Sequence, residues 1–247
     1  MEICGQAQVF IERGDDYCFD HTKVILRKGH SEFFYAKTAL RIPQSSRIDV
    51  DRLETIPIPT SHVWPLVDPT FTQAPEPLPY ACYVKQPSFL NYDDTTNGQD
   101  YARQILTEVE ACEVLRLHPH PNIARYLGCV MEDGRIKGLC FPKYVTTLLQ
   151  MLRDKTDFDR PHFLRGIEAG VEHMHKLGLI HGDLNPTNIM LDGDRAVIID
   201  FDSCKREGDR LGSKAVTPGW ELGDTEYARR ENDLYSLSLI AGALLDN

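Results

Sequence analysis

The hydrophobic rhythm of the chain changes several times along its length. Residues 7–12, 23–28 and 32–40 are short runs rich in Val, Ile, Phe and Tyr, a pattern that predicts strands. Arg27, Lys28, Gly29 and His30 supply the turn between the last two, so a small antiparallel sheet is expected. From Pro43 to Pro79 the rhythm is lost. Prolines at 57, 59, 65, 69, 75, 77 and 79 remove ladder donors and predict an irregular segment, either wrapped on the fold or flexible. Tyr80–Val84 reads as the next strand and ends in Lys85. Residues 99–117 then place Ile105, Val109 and Cys112 at helical spacing. Pro119 and Pro121 forbid that helix from continuing.

Residues 123–130 and 136–141 predict a hairpin around Glu132-Asp133-Gly134-Arg135. Asp159-Arg160-Pro161 is a helix start, with an acid near the cap and Pro in the first turn. Phe163, Ile167, Val171 and Met174 give that helix one apolar face. Leu234 to Leu245 is nearly apolar but too short to span a bilayer, and Ser236 and Ser238 interrupt it. It reads as a buried helix.

Between these two helices lie two polar loops, each joined to a short apolar strand. The first is His181-Gly182-Asp183-Leu184-Asn185-Pro186-Thr187-Asn188-Ile189-Met190-Leu191; the second is Val197-Ile198-Ile199-Asp200-Phe201-Asp202. Together they offer carboxylates and an amide to one place. Magnesium takes hard oxygen ligands, commonly one or two carboxylates completed by substrate phosphates, and a further oxygen group can orient an attacking hydroxyl.

A net charge of −10 and a pI near 5.4 argue against a nucleic-acid partner or an anionic membrane surface. The 7 cysteines include no C-x-x-C pair, and the start Met1-Glu2-Ile3-Cys4 lacks a basic signal region. Free thiols in a reducing compartment, cytoplasmic or nuclear, are therefore expected. His118 and His120 lack the surroundings of a metal site. His173 and His175 are two positions apart and do not share a helix face.

The two loops resemble the catalytic and metal-binding loops of protein kinases, H-R-D-L-x-x-x-x-N and D-F-G. The resemblance implies Asp183 as catalytic base and Asn188 and Asp200 as Mg²⁺ ligands. Lys85 is placed like the strand lysine of V-A-I-K, which binds the α- and β-phosphates of ATP. Its helix partner should be a glutamate. Of Glu108, Glu110 and Glu113, Glu110 is chosen because Val114 and Leu117 follow at offsets of four and seven.

His120-Pro121-Asn122-Ile123 matches the kinase H-P-N-I segment. Phe141-Pro142-Lys143-Tyr144 is placed as the hinge, so its backbone groups, at Phe141 and Lys143, would hold the adenine, with Met190 as the pocket floor. Thr217-Pro218-Gly219-Trp220 is similar to the end of an activation segment that also carries Arg206, Arg210, Ser213 and Lys214. Asp233, opening the last helix, would brace the catalytic loop.

The closest likeness is to divergent kinase-like proteins of filamentous fungi. The implied fold is α+β, a protein-kinase-like two-lobe fold. Its N-lobe would be small and β-rich, and its helical C-lobe truncated after the central helix. The expected division is 1–79 as divergent N-terminal strands with the Pro-rich wrapping segment, 80–142 as the N-lobe core, and 143–247 as a partial C-lobe. ATP and Mg²⁺ are the implied cofactors, and a protein substrate or partner protein the implied partner.

Several positions depart from the kinase pattern. No G-x-G-x-x-G precedes Lys85, and Tyr83 replaces a small residue, where its ring would crowd the pocket. Gly182 replaces the Arg of H-R-D. Asn185 stands for the catalytic lysine that contacts the γ-phosphate, and Asp202 replaces the Gly of D-F-G. Three readings follow: a Ser/Thr-type protein kinase, which Thr217 favours; a pseudokinase acting as a binding module; and a small-molecule phosphotransferase of the aminoglycoside or choline kinase type.

Overall fold

A computed structural model describes residues 1–14, 16–29, 32–43, 48–90, 92, 98–211, 217–220, 222–223 and 226–245. His30 of the expected turn, and Ser213 and Lys214 of the activation segment, lie outside the described residues. The chain divides into two units: Met1–Pro65 with Gln86–Arg103, and Leu66–Lys85 with Gln104–Asn247. This division differs from the boundaries expected at 79/80 and 142/143. The segment after Pro65 is tied by backbone bonds to the second unit, whereas the stretch after Lys85 packs aromatic rings into the first.

In the first unit β1 (Glu2–Arg13), β2 (Asp16–Lys28), β3 (Glu32–Thr38) and β4 (Ile56–Ile58) form one antiparallel sheet in that order, followed by the single turn α1 (Thr60–Val63). The β-branched and aromatic residues that predict the strands also fill the core, with Val24, Leu26, Tyr35 and Ala36 buried. Phe33, Trp64 and Phe89 meet as tilted or edge-on rings, at 4.6 Å for Phe33–Phe89 and 6.0 Å for Trp64–Phe89. The buried Lys23 ammonium donates to the Tyr92 carbonyl and faces the Tyr35 ring.

In the second unit β5 (Cys82–Lys85), β6 (Gly128–Glu132) and β7 (Arg135–Pro142) form a sheet of order β5-β7-β6. The expected hairpin is present, though its first strand begins at Gly128. The outer edge of β6 is covered by part of the Pro-rich segment. Ala74 N–H donates to Cys129 O at 2.8 Å, and Cys129 N–H to Thr72 O at 2.7 Å. Residues 72–74 are thus a strap that pairs an edge the sheet would otherwise leave open. Gly128 permits the approach: it has φ +127°, and a Cβ there would meet the Gln73 and Ala74 backbone at 2.5 Å.

α2 (Gly98–Leu117) is the helix expected over 99–117. Beyond β7 come α3 (Leu148–Arg153), α4 (Arg160–Lys176), β8 (Leu179–Ile180), β9 (Ile189–Asp192), β10 (Arg195–Ile198), β11 (Lys205–Arg206) and α5 (Arg230–Leu245). α4 begins as its sequence predicts, with Asp159 accepting from His162 N–H. β9 and β10 form a hairpin, and β8 pairs with β11. The H-P-N segment ties into this region, since Asn122 Nδ2 donates to Ala196 O at 2.7 Å and Ala124 N–H to Ile198 O at 2.9 Å. Among the described residues no helix is long and apolar enough to cross a membrane.

Candidate active site

The loop from His181 to Asn188 joins β8 to β9 and is held from below by Asp233 on α5. The Asp233 carboxylate accepts from His181 N–H and Gly182 N–H, each at 2.9 Å, and from His175 Nε2 at 2.8 Å, and it is only 1% exposed. This is the brace the sequence suggested, with His175 added to it. Gly182 has φ +78°, and a Cβ there would lie 2.9 Å from Ser203 O. The departure at this position therefore has a backbone cause: a larger residue would have to push the Ser203 carbonyl away.

Asp183 stands at the centre of the loop. Its Oδ1 accepts from Thr217 Oγ1 at 2.8 Å and Thr217 N–H at 3.1 Å, and its Oδ2 from Asn188 Nδ2 at 3.2 Å. Asn188 Nδ2 also donates to Asp183 O at 2.8 Å, so both bonds hold the amide by its nitrogen. Asn185 is 1% exposed. Its Nδ2 reaches Asp183 O at 3.0 Å and Thr217 Oγ1 at 3.1 Å, while its Oδ1 accepts from Thr187 N–H at 2.9 Å. It braces the loop and is not extended toward a phosphate, because a short amide side chain satisfies its bonds locally.

Asp200 follows β10 in the left-handed region, at φ +66°. Asp is one of the few residues with a side chain to visit this region, at roughly 1–2 kcal/mol. Its Oδ1 lies 2.6 Å from Lys85 Nζ. The same ammonium donates to both oxygens of Glu108, at 2.7 and 2.8 Å, and has Asp202 at 3.6 Å. Burial works against the ammonium, but Glu108, Asp200 and Asp202 outweigh it and raise the Lys85 pKa above its ordinary value. Burial also pushes Glu108 up, against the pull of Lys85. Two bonds from one ammonium to both carboxylate oxygens are the geometry of a charged pair.

The helix partner of Lys85 is thus Glu108, which corrects the expectation of Glu110. The two positions are about 200° apart around a helix. Glu108 shares its face with the buried Ile105, Cys112 and Leu115, whereas Glu110 is exposed and Leu117 is 66% exposed. The offsets of four and seven therefore selected the outward face. The readable signal was the apolar stripe three residues before Glu108 and four and seven after it. Phe201, fully buried, adds a backbone N–H to Glu108 Oε1 at 3.2 Å.

Above Lys85 and Asp200 lies a cavity of about 270 Å³, walled by Tyr83, Ala124, Phe141, Pro142, Tyr144 and Met190. Phe141 and Met190 stand where the sequence put them. Lys143 is not among the residues that wall the cavity, and its backbone N–H is taken by Ala81 O at 3.1 Å. Pro142 and Tyr144 face the cavity in its place. Tyr83 is 54% exposed, so its ring borders the cavity mouth and does not fill the interior.

The donor set fits a nucleotide with its metal. The carboxylate of Asp200 and the amide oxygen of Asn188 are hard ligands, Lys85 is a fixed cation, and the cavity beside them is largely apolar. Among the described residues no three His, Cys, Asp or Glu side chains gather into a metal site. Magnesium completed by substrate phosphates needs only one or two carboxylates.

The family profile described as "Protein kinase domain" matches residues 89–247. The chain belongs to this family. Lys85 lies just ahead of the matched residues of the kinase domain, so its place rests on the pairing with Glu108. The serine/threonine-protein kinase/endoribonuclease IRE1 of Hypocrea jecorina is 29% identical over 126 residues, covering 45% of this chain and 10% of the relative. The probable CTD kinase subunit alpha homolog of Encephalitozoon cuniculi is 33% identical over 148 residues, covering 55% of this chain and 44% of the relative. A solved structure, the yeast RNA Pol II CTD kinase CTDK-1 complex, is 18% identical with a TM-score of 0.48, over 56% of this chain and 49% of that one. The kinase domain described here thus spans well under two thirds of the length of these relatives.

Proposed function

We propose that the chain is an ATP- and Mg²⁺-dependent protein kinase domain that phosphorylates Ser and Thr hydroxyls. The observation that carries this reading is the closed Lys85–Glu108 pair beside Asp200, which lines an open cavity. A binding module with no nucleotide chemistry has no need of three carboxylates around one partly buried lysine, an arrangement costly in desolvation.

When bound, Mg²⁺-ATP supplies the transferable phosphoryl group and neutralises its charge. Phe141, Pro142, Tyr144 and Met190 hold the base. Lys85 binds phosphate oxygens and is kept in place by Glu108. Asp200 and Asn188 offer oxygens to the metal. Asp183 orients the acceptor hydroxyl and receives its proton at a carboxylate oxygen. In the absence of acceptor, Thr217 Oγ1 donates to Asp183, so this carboxylate already accepts an alcohol. That contact supports Ser/Thr acceptors over Tyr.

The test is phosphate transfer from ATP to a mixed Ser-, Thr- and Tyr-peptide pool, followed by phosphoamino-acid analysis. Phosphoserine or phosphothreonine formed only with Mg²⁺ is expected. Incorporation no greater than that of the Asp183→Asn variant would refute transferase activity, and phosphotyrosine alone would refute the specificity.

A further inference from the structure

Behind the cavity wall lies a second, larger concavity of about 740 Å³. It belongs to the second unit and has no part in the proposed chemistry. Its polar walls are Arg116 from α2, His120, Arg125 ahead of β6, Lys143 after β7 and Arg195 from β10, with Asp192 as the acid among these lining residues. Its floor is apolar, with Pro119, Pro121, Ile123 and Tyr144. Arg195 is paired with Asp192 and Arg116 with Glu113, each at 2.9 Å. Arg125 and Lys143 are exposed and make no ion pair among the described residues. Two unpaired cations beside two paired ones thus make a basic groove on a chain whose net charge is −10.

A local inversion of charge sets up a field that gathers one kind of partner. The cations come from four separate segments of the chain around a floor that includes two prolines. That arrangement suits a linear ligand carrying several carboxylates, and a single compact anion would engage only part of it. Prolines present a floor with no N–H donors, against which an extended chain can lie without competing for ladder bonds.

We propose that this groove docks an extended, acidic segment of a protein partner, with its carboxylates on Arg125 and Lys143 and with the paired Arg116 and Arg195 flanking them. Ala124, Pro142 and Tyr144 border both the groove and the cavity, so the docked segment lies directly behind the proposed nucleotide wall. The inference is read without nucleotide and stands apart from phosphoryl transfer.

The test uses the full chain and a short fluorescein-labelled peptide of alternating glutamate and proline, against the same peptide with glutamine for glutamate. The acidic peptide should bind at least about tenfold more tightly, a difference of about 1.4 kcal/mol. Its affinity should fall as salt rises from about 0.05 M to about 0.5 M, and Arg125→Glu should weaken it by a similar factor. Amide resonances shifted by the peptide in the parent protein should cluster at Arg125, Tyr144 and Arg195, which keeps the test decisive even if a variant folds poorly. Equal binding of the two peptides, shifts centred elsewhere, or full affinity in a folded Arg125→Glu would overturn the proposal. Complete displacement by inorganic tripolyphosphate at concentrations well below the peptide's own dissociation constant would do the same, marking a small-anion site.

Discussion

Both carboxylate oxygens of Glu108 accept from the Lys85 ammonium, at 2.7 and 2.8 Å. The pair joins a strand to a helix and presents the lysine to Asp200. Its value lies in position, because a buried ion pair adds little net stability while losing one partner leaves an uncompensated charge.

Glu108→Gln should therefore lower kcat/KM for ATP by about 100-fold, or about 2.7 kcal/mol of transition-state stabilisation. Glu110→Gln, on the solvent face of α2, should stay within about twofold. Steady-state kinetics of the two variants side by side decides the matter. A larger loss from Glu110→Gln would reverse the assignment.

Nucleotide should stabilise the fold only with a divalent metal. Lys85 is a single cation facing a polyphosphate, and no Gly-rich sequence precedes it to cradle the charge. With Mg²⁺-ATP at about 100 times its dissociation constant the gain is about 2.7 kcal/mol, which for a chain of this size raises Tm by about 5–10 °C. Chelation of the metal should remove most of the shift. An equal shift with metal-free ATP would show that the chain's own residues neutralise the phosphates.

Local chemistry made much of the site legible in the sequence. Asp183, Asn188 and Asp200 stand on two loops whose polar–apolar pattern is visible without a fold, and Asp233 follows from a helix start. What could not be read depends on facing and on distant pairing. Glu108 and Glu110 differ only in which side of α2 meets the sheet. The strap of Thr72–Ala74 on Cys129 is a backbone contact between remote segments, and no side-chain pattern announces it. α3 was not anticipated because its 6 residues give too short a window for periodicity. Its capping box of Thr147 and Gln150 was the available sign. Asn185 and Lys143 carry motif positions, yet the Asn185 amide satisfies its bonds within the loop and the Lys143 N–H is taken by Ala81 O.

The two acids should separate kinetically. Asp183→Asn should lower kcat by about 10²–10⁴ and leave nucleotide affinity nearly unchanged, because Asp183 bonds Thr217 and Asn188 and makes no contact with Lys85. Asp200→Asn should weaken both, since it removes a metal ligand and a partner of Lys85. Thr217→Val should perturb Asp183 by deleting the 2.8 Å hydroxyl bond, and Thr217→Ser should restore it. Isothermal titration together with single-turnover rates separates the two effects. A parent-like rate in Asp183→Asn would end its role as base.

The last prediction concerns pH and lies outside the catalytic loop. His120 stacks on His173 with ring centroids 4.7 Å apart, and its Nδ1 accepts from Asn122 N–H at 3.2 Å. Burial, then His173 and Lys176, lower its pKa below the ordinary value of 6.5. The accepting nitrogen must be unprotonated, which works in the same direction. Above pH 6.5 the folded and unfolded chains both hold this ring neutral, and it adds no pH dependence. As pH falls through 6.5 the unfolded chain binds the proton first, so the folded state loses stability until the folded pKa is passed. His120→Asn keeps an acceptor for Asn122 N–H and removes the titration. It should lower Tm at neutral pH through lost stacking, yet flatten the fall of Tm between about pH 7 and pH 5. Melting curves of parent and variant across that range measure the slope directly. Parallel curves would show that His120 titrates alike in both states and that its stacking on His173 carries no proton linkage.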